Sequence, residues 1–354
     1  MNSRERVLKA IGRERPDRPA SSLRCTEEAW ASLRGHLGVA TNDDVLDALE
    51  IDLRWVAAPF IGPGDRSAVP LGSEGTDFWG CHIRKVENDF NSYFEFDVHP
   101  LADARSVDDI AAHDWPSADW WDYDALPAAI DSVNRREPRA IIFFAGGSFE
   151  TPWYMRGLEA FMMDLYENPH IVDAICSSVT ELYVERARRA VAAADGRIDV
   201  IGSGGDIGTQ RGMMLDPGLW RDLIKTHSRR LIGPFREQGL ATFYHSCGSI
   251  VPVIDDLLEC GLDILDPVQV AAAGMTPEEL FPAFGNRLTF HGAIDEQELL
   301  PHGTPEQVYR ETTRTIDVLG QNGGFIVSPC HQVQGDVPPE NVVALFEAVR
   351  DYRW

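Results

Sequence analysis

A regular alternation of short apolar runs with longer amphipathic segments constrains the fold of this chain more than any other feature. Eight apolar runs have the length and composition of buried strands: 20–24, 51–56, 140–145, 198–202, 241–245, 262–266, 287–291 and 325–329. Each run is followed by a segment of helical periodicity, and from residue 124 onward the alternation is strict. Eight strands that are each followed by a helix predict a (β/α)8 TIM barrel. Because this fold commonly forms one domain from a chain of this length, we expect residues 1–354 to be a single domain.

One excursion, at about 60–116, interrupts the alternation. Glycine-rich turns there separate short alternating runs such as 83–86 and 93–96, a pattern that predicts antiparallel hairpins. We expect this hairpin-rich excursion to lie over the barrel mouth rather than to form a second domain. The aromatic residues near its end, Trp115, Trp120, Trp121 and Tyr123, are expected to bury surface area rather than to stack on a substrate.

A His-x-Cys pair at the end of the fifth predicted strand indicates a metal site. Residues i and i+2 of a strand share a face, so the imidazole of His245 and the thiol of Cys247 are expected together at the strand's C-terminal end. Two donors alone are too few for zinc, which takes three or four protein ligands. Cys330 follows the eighth predicted strand, and a TIM barrel gathers its active site at this end of the strands.

His245, Cys247 and Cys330 would then form a three-ligand zinc set whose fourth position is free for a substrate. The alternative is two separate buried thiols and a histidine with ordinary hydrogen bonds in the core, because free cysteine is among the most buried residue types.

Other polar residues also fall at the predicted C-terminal strand ends. We expect Asp206 or His331 to supply a proton or to orient the substrate. The residues expected to contact the substrate are Gln210, Gln269, His291 and Gln334. For Gln269, Gln334 and the nearby Asp295, helix capping and loop hydrogen bonds are an equal alternative.

Charge and composition exclude several classes of partner. The chain has 32 Lys and Arg residues against 56 Asp and Glu residues, a net charge of −24 that repels nucleic-acid phosphates. No stretch approaches 18 uninterrupted apolar residues, so we expect no membrane span, and the N-terminus has no apolar signal core. The six cysteines include no Cys-x-x-Cys pair and are expected to be reduced thiols. We therefore expect a cytoplasmic protein that binds neither nucleic acid nor membrane.

The strand-end motifs resemble those of the uroporphyrinogen decarboxylase superfamily. The motifs are GDIGTQ (205–210), HSCG (245–248), LDPVQ (265–269), HGAID (291–295) and PCHQVQ (329–334). They are most similar to the zinc-dependent methyltransferase branch, which includes methylcobalamin:coenzyme M methyltransferases and the first methyltransferases of bacterial O-demethylase systems. In that branch a His-x-Cys pair and a cysteine some eighty residues later bind zinc. The resemblance thus implies zinc on His245, Cys247 and Cys330.

The activity that this resemblance implies is methyl transfer between a small methylated substrate, an O-methyl ether or a thiol, and a separate corrinoid protein. The chain has no Asp-x-His-x-x-Gly segment of the kind that binds corrinoids, so we expect cobalamin to be carried by a partner protein. The direction of transfer and the oligomeric state are not encoded in the motifs, and a homodimer is one option.

Two other functions are compatible with the sequence. The first is a metal-free decarboxylase acting on another acidic substrate, with Arg24, Arg54 or Arg156 as carboxylate clamps. Uroporphyrinogen itself is not expected as that substrate, because nothing between Arg18 and Trp30 resembles the Met-Arg-Gln-Ala-Gly-Arg-Tyr run of the true decarboxylases. The second is a non-catalytic barrel that binds a metal or a tetrapyrrole and acts as a carrier or a partner surface.

Overall fold

The computed structural model describes residues 1–68, 73–87 and 92–354. The strands are β1 (Ala20–Ser21), β2 (Leu53–Val56), β3 (Gly75–Thr76), β4 (His82–Glu87), β5 (Ser92–Val98), β6 (Ala140–Gly147), β7 (Val200–Gly204), β8 (Gly208–Thr209), β9 (Gly212–Met213), β10 (Ala241–His245), β11 (Ile264–Val268), β12 (Thr289–Ile294) and β13 (Phe325–Pro329). The α-helices are α1 (Ser3–Ile11), α2 (Glu27–Leu37), α3 (Asn42–Ala48), α4 (Val107–Ala111), α5 (Leu126–Val133), α6 (Glu150–Arg156), α7 (Leu158–Glu167), α8 (Pro169–Ala194), α9 (Pro217–Leu223), α10 (Lys225–Glu237), α11 (Ile254–Cys260), α12 (Pro277–Phe284), α13 (Leu299–His302), α14 (Pro305–Leu319) and α15 (Pro339–Asp351).

Eight parallel strands form the barrel and confirm the (β/α)8 prediction. Neighbouring strands follow the order β1-β13-β12-β11-β10-β7-β6-β2. The two ends of this order approach each other where the backbone N–H of Asp52 donates to the carbonyl of Ser21 at 3.2 Å. Each of the eight predicted runs contains or overlaps one of these strands. The C-terminal strand ends therefore share one edge, where the loops of a TIM barrel form its active site.

The strands are buried on both faces, as expected for a parallel sheet covered by helices. Phe243 packs in the barrel interior in one cluster with Ile264 and Ile326, and its neighbour Tyr244 packs in the outer layer between sheet and helices. Because side chains alternate along a strand, His245 at the end of β10 lies on the same face as Phe243. The strand thus directs His245 inward at the mouth of the barrel.

The excursion contains the expected hairpin. β4 pairs antiparallel with β5, with Ile83 opposite Phe96 and Val86 opposite the backbone of Tyr93. Residues 88–91, between the two predicted runs, lie outside the described residues. Phe96 stacks on Tyr154 of α6 with ring centroids 4.2 Å apart, so the excursion packs against an element that follows a barrel strand.

The aromatic residues at the end of the excursion are partly or fully buried. Trp121 is buried, and its ring contacts Phe60 and Phe78 edge to face. The indole of Trp115 donates to the carbonyl of Ile110 at 2.9 Å. No described helix combines the length and the apolar character that crossing a bilayer requires.

A buried carboxylate ties the N-terminal segments of the chain together. Asp52 is fully buried and accepts from the guanidinium of Arg6 at 2.6 Å, from that of Arg18 at 3.0 Å and from the backbone N–H of Ser21 at 3.0 Å. These contacts join α1, β1 and the segment that leads into β2.

Replacing Asp52 with alanine is expected to lower the free energy of unfolding by about 3–5 kcal/mol, because two buried guanidinium groups lose their shared carboxylate. Urea denaturation measures the change. The control is Asp131→Ala, which removes an exposed carboxylate paired with Arg197 at 2.9 Å and should cost less than about 1 kcal/mol. Equal losses in the two variants would contradict the role of Asp52.

Candidate metal and substrate site

His245 is held in a defined orientation at the mouth of the barrel. Its Nδ1 lies 2.5 Å from Oδ2 of Asp266, its register partner on the neighbouring strand β11. Because a carboxylate can only accept, Nδ1 carries the proton and Nε2 is the atom left to bind a metal. Burial favours the neutral ring, but the charge of Asp266 outweighs it and raises the pKa of His245 well above its usual value. A metal ion would displace the proton from Nε2.

Cys247 is fixed by the turn that follows β10. Its backbone N–H donates to Oδ1 of Asp206 at 2.8 Å, and that of Gly248 donates to Oε1 of Gln269 at 2.6 Å. Gly248 has φ +80°, and a Cβ there would lie 2.6 Å from the carbonyl carbon of Gly208, so no larger residue fits this turn. The turn places the thiol of Cys247 3.6 Å from Nε2 of His245.

His331 supplies the third donor. One ligand atom each of His245, Cys247 and His331 lies within 4.8 Å of the other two. Zinc bonds of about 2.0 Å to nitrogen and 2.3 Å to sulfur place tetrahedral ligands roughly 3.5 Å apart, close to the separation of His245 and Cys247. Burial and, to a smaller extent, the positive charge of His245 lower the pKa of His331 to about 4, so its ring is neutral at pH 7. The three residues would hold a zinc ion through three protein donors, the number typical of catalytic zinc sites.

The structure does not bring Cys330 into this group. Its thiol is buried and donates to the carbonyl of Val268 at 3.2 Å, and its backbone N–H donates to the carbonyl of Ile294. The sequence-based choice of Cys330 as a ligand stays a prediction, and the geometry offers the adjacent His331 in its place. The two residues come directly after β13, where the strand has ended and alternation no longer decides which side chain faces the mouth.

Asp266 is the central acid of the site, and it was not among the predicted site residues. It is fully buried, contacts Nδ1 of His245 and Nδ1 of His291 at 2.5 Å each, and lies 3.4 Å from the guanidinium of Arg24. Burial raises the pKa of Asp266, but the two histidines outweigh it, so that the pKa is lowered. An acidic residue inside the apolar run 262–266, at the same strand end as His245, was the signal that could have identified it.

A cavity of about 500 Å³ opens beside two of the three donor residues, His245 and His331. Its lining residues are Arg24, Phe144, Ala145, Gly146, Gly147, Glu150, Thr151, Tyr154, Tyr183, Arg186, Asp206, His245, His331 and Gln332. Both predicted catalytic residues, Asp206 and His331, are among them. The volume is within the range typical of small-molecule sites.

The four predicted substrate-binding residues do not line this cavity. Gln210 and Gln334 are exposed on loops. Gln269 uses its side-chain oxygen to hold the backbone of Gly248, and His291 is buried beside Asp266. Their contact with a substrate stays a prediction.

The chain matches the model of a known protein family. The uroporphyrinogen decarboxylase (URO-D) family model matches residues 80–352, more than half of the chain. The chain belongs to the URO-D family. The URO-D protein of Rickettsia bellii, a uroporphyrinogen decarboxylase, is 22% identical over 237 residues, which cover 64% of this chain and 65% of that protein.

Two methyltransferases are also similar to this URO-D family protein. The methylated-thiol–coenzyme M methyltransferase of Methanosarcina mazei is 26% identical over 140 residues, which cover 39% of this chain and 34% of that protein. A solved structure of a methyltransferase from Methanosarcina mazei superposes with a TM-score of 0.73 over 99% of both chains at 16% identity, which shows a shared fold. The matched stretches span less than two thirds of the length of these curated relatives.

Two carboxyl groups meet in the cavity of this URO-D family protein. Asp206 follows β7, and Glu150 begins α6 after β6. Burial and, to a smaller extent, the negative charge of Asp206 raise the pKa of Glu150 to about 7. Glu150 can therefore hold a proton at neutral pH. Glu150 was not predicted from the sequence because it lies beyond the Gly146-Gly147 end of the strand, outside every motif.

Of the three arginines considered as carboxylate clamps, only Arg24 lines the cavity. Arg54 donates to the carbonyl of Ile51 at 2.6 Å and to Asp47 at 2.9 Å. Arg156 pairs with Asp164 at 2.8 Å and also donates to backbone carbonyls of the excursion, including that of Ala102 at 2.8 Å. Arg54 and Arg156 thus hold the fold together and lie outside the cavity lining.

Proposed function

We propose that this protein is a zinc-dependent methyltransferase that moves a methyl group between a small methylated substrate, an O-methyl ether or a thiol, and a separate corrinoid protein. The observation that carries the proposal is the group of three donor atoms of His245, Cys247 and His331 within 4.8 Å. Two of these residues, His245 and His331, line a cavity of about 500 Å³. Its similarity to the methylated-thiol–coenzyme M methyltransferase supports this class of reaction.

The donor set suits zinc, because two imidazoles and one thiolate are among the ligands that zinc prefers and three protein ligands are typical of catalytic sites. Zinc bound there would act as a Lewis acid, either holding a substrate thiol as its thiolate or polarising an ether oxygen. Asp266 would orient His245, and through it the ion, by the carboxylate–histidine contact that such sites commonly use.

The other cavity residues have separate tasks in this proposal. Phe144, Tyr154 and Tyr183 form apolar walls that keep water from the reacting atoms. Asp206 lies 3.6 Å from Nε2 of His245 and orients the group that accepts or gives up the methyl. Glu150, whose pKa is raised to about 7, can give a proton to the leaving oxygen or sulfur or take one back.

The corrinoid belongs to a partner in this proposal. The chain has no Asp-x-His-x-x-Gly segment, so cobalamin is assigned to another protein that docks at the barrel mouth during transfer. Free cob(I)alamin can stand in for that partner in an assay.

The test combines metal analysis with a transfer assay. The purified protein is expected to contain about one zinc per chain, and to convert added cob(I)alamin to methylcobalamin with at least one donor from a panel of methoxyarenes and methylated thiols. Chelation should abolish the reaction and added zinc should restore it. Release of CO2 from a carboxylated substrate by the chelated protein would favour the decarboxylase instead, and a metal-bound protein that is inactive in both assays would favour the carrier.

A further inference from the structure

Arg186 places an uncompensated positive charge in the wall of the cavity. It lies on α8, and its Nη1 donates to the carbonyl of Ala145 at 3.2 Å. Its Nε is buried and has no hydrogen-bond partner in the structure, and no carboxylate of the described residues forms an ion pair with it. Burial lowers the pKa of Arg186, but a guanidinium stays protonated in proteins at neutral pH.

Aromatic rings surround this guanidinium without neutralising it. Its carbon lies 4.0 Å from the ring centroid of Trp121 and 5.8 Å from those of Phe78 and Tyr183. Such cation–π contacts are worth about 0.5–2 kcal/mol each, less than the several kcal/mol that burial of an unpaired charge costs. The position therefore favours an anionic ligand.

Two other charged side chains of the cavity, Arg24 and Asp206, have partners of their own. Arg24 contacts Asp266, and Asp206 accepts from the backbone of Cys247. The nearest acid on the same helix, Glu185, pairs with Arg188 and Arg189 instead. Arg186 is thus the cavity cation for which the described residues supply no anion.

We propose that Arg186 binds a carboxylate group of the substrate, and that the substrate is a small acid with an apolar, planar body. The guanidinium would donate hydrogen bonds to the carboxylate. Phe144, Tyr154 and Tyr183 would pack against the apolar part of the substrate. That this acid carries the methyl group to be transferred rests on the proposed function. Binding of the acid itself needs neither cobalamin nor methyl transfer.

Calorimetry with benzoate and with its neutral analogue benzamide tests the inference. The wild-type protein should bind benzoate at least about tenfold more tightly than benzamide, since a charge-assisted pair is lost with the amide. R186M should remove this preference and weaken benzoate binding by about tenfold or more. The matched control is R189M on the same helix. Arg189 pairs with Asp119 and Glu185 on the surface. R189M should keep the wild-type preference.

Zinc content and circular dichroism are measured for every variant, so that benzoate bound to zinc alone or a misfolded protein is recognised. If R186M does not fold, R186Q replaces it with the same expected result. Equal affinity of the wild-type protein for benzoate and benzamide would overturn the inference, and so would a preference that survives in the arginine variant. A failed transfer assay with intact benzoate selectivity would count against the proposed function alone.

Discussion

Cys247→Ala and His331→Ala are each expected to reduce bound zinc from about one per chain to less than roughly a tenth, whereas Cys330→Ala is expected to retain it. Each of the first two variants leaves two protein donors, too few for tight zinc binding. Cys330→Ala removes a thiol that hydrogen-bonds to the carbonyl of Val268 outside the donor group. Inductively coupled plasma mass spectrometry on dialysed protein measures the metal.

The two cysteine variants are a matched pair, because the substitution is the same and only the position differs. Circular dichroism should show a folded barrel in all three variants, since the core of a TIM barrel does not depend on side chains at its mouth. Zinc lost from Cys330→Ala but kept in His331→Ala would restore the ligand set His245, Cys247 and Cys330 that the sequence favoured. Zinc kept in Cys247→Ala would exclude both sets.

The barrel was predictable because its signal repeats. Each strand is buried on both faces and reads as an apolar run, and each helix shows its own periodicity, so eight independent segments agree. Most observed strands begin or end a few residues away from the predicted runs. β1 covers only Ala20–Ser21 of the run 20–24, and β7 continues to Gly204 beyond the run 198–202. Short elements such as α4 and α13 were not predicted, because so few residues carry little periodicity.

The site was only partly predictable, for a physical reason. His245 is in a strand, where alternation fixes its direction, and Cys247 follows in a turn that Gly248 makes possible. Cys330 and His331 lie beyond the end of β13, and which of them faces the mouth depends on contacts with residues distant in the sequence. Pattern reasoning has no access to such contacts.

The same limit explains the residues that were missed. Arg186 is in the middle of α8, where the sequence pattern predicts a solvent-exposed arginine. It lines the cavity because its side chain packs against the ring of Trp121. Glu150 and Asp266 gain their roles from neighbours on adjacent strands. For Asp266, the register of β10 against β11 pairs it with His245 across two predicted strands, so a sequence analysis that aligned the strand ends could have found it.

Asp206→Asn is expected to lower methyl transfer by a factor on the order of 10² or more while zinc content stays near the wild-type value. Asp206 is at the end of β7, lines the cavity and lies 3.6 Å from Nε2 of His245, but it is not one of the three grouped donors. Asparagine keeps the side-chain oxygen that can accept from the backbone N–H of Cys247, so the turn that places the thiol should survive. The substitution removes the charge, which the proposed orienting or proton-handling role requires.

The matched control for Asp206→Asn is Asp295→Asn, the same substitution at the end of another barrel strand. Asp295 accepts from the backbone N–H of Gln297 at 2.9 Å and does not line the cavity, so its loss should affect local stability by no more than about 1 kcal/mol and leave transfer unchanged. Zinc content, melting temperature and the rate of cob(I)alamin methylation are measured for both variants. If Asp206 serves only to hold the backbone of Cys247, Asp206→Asn will behave like Asp295→Asn, with at most a small change in melting temperature and normal transfer. That result would remove Asp206 from the mechanism and leave Glu150 as the acid that faces the substrate.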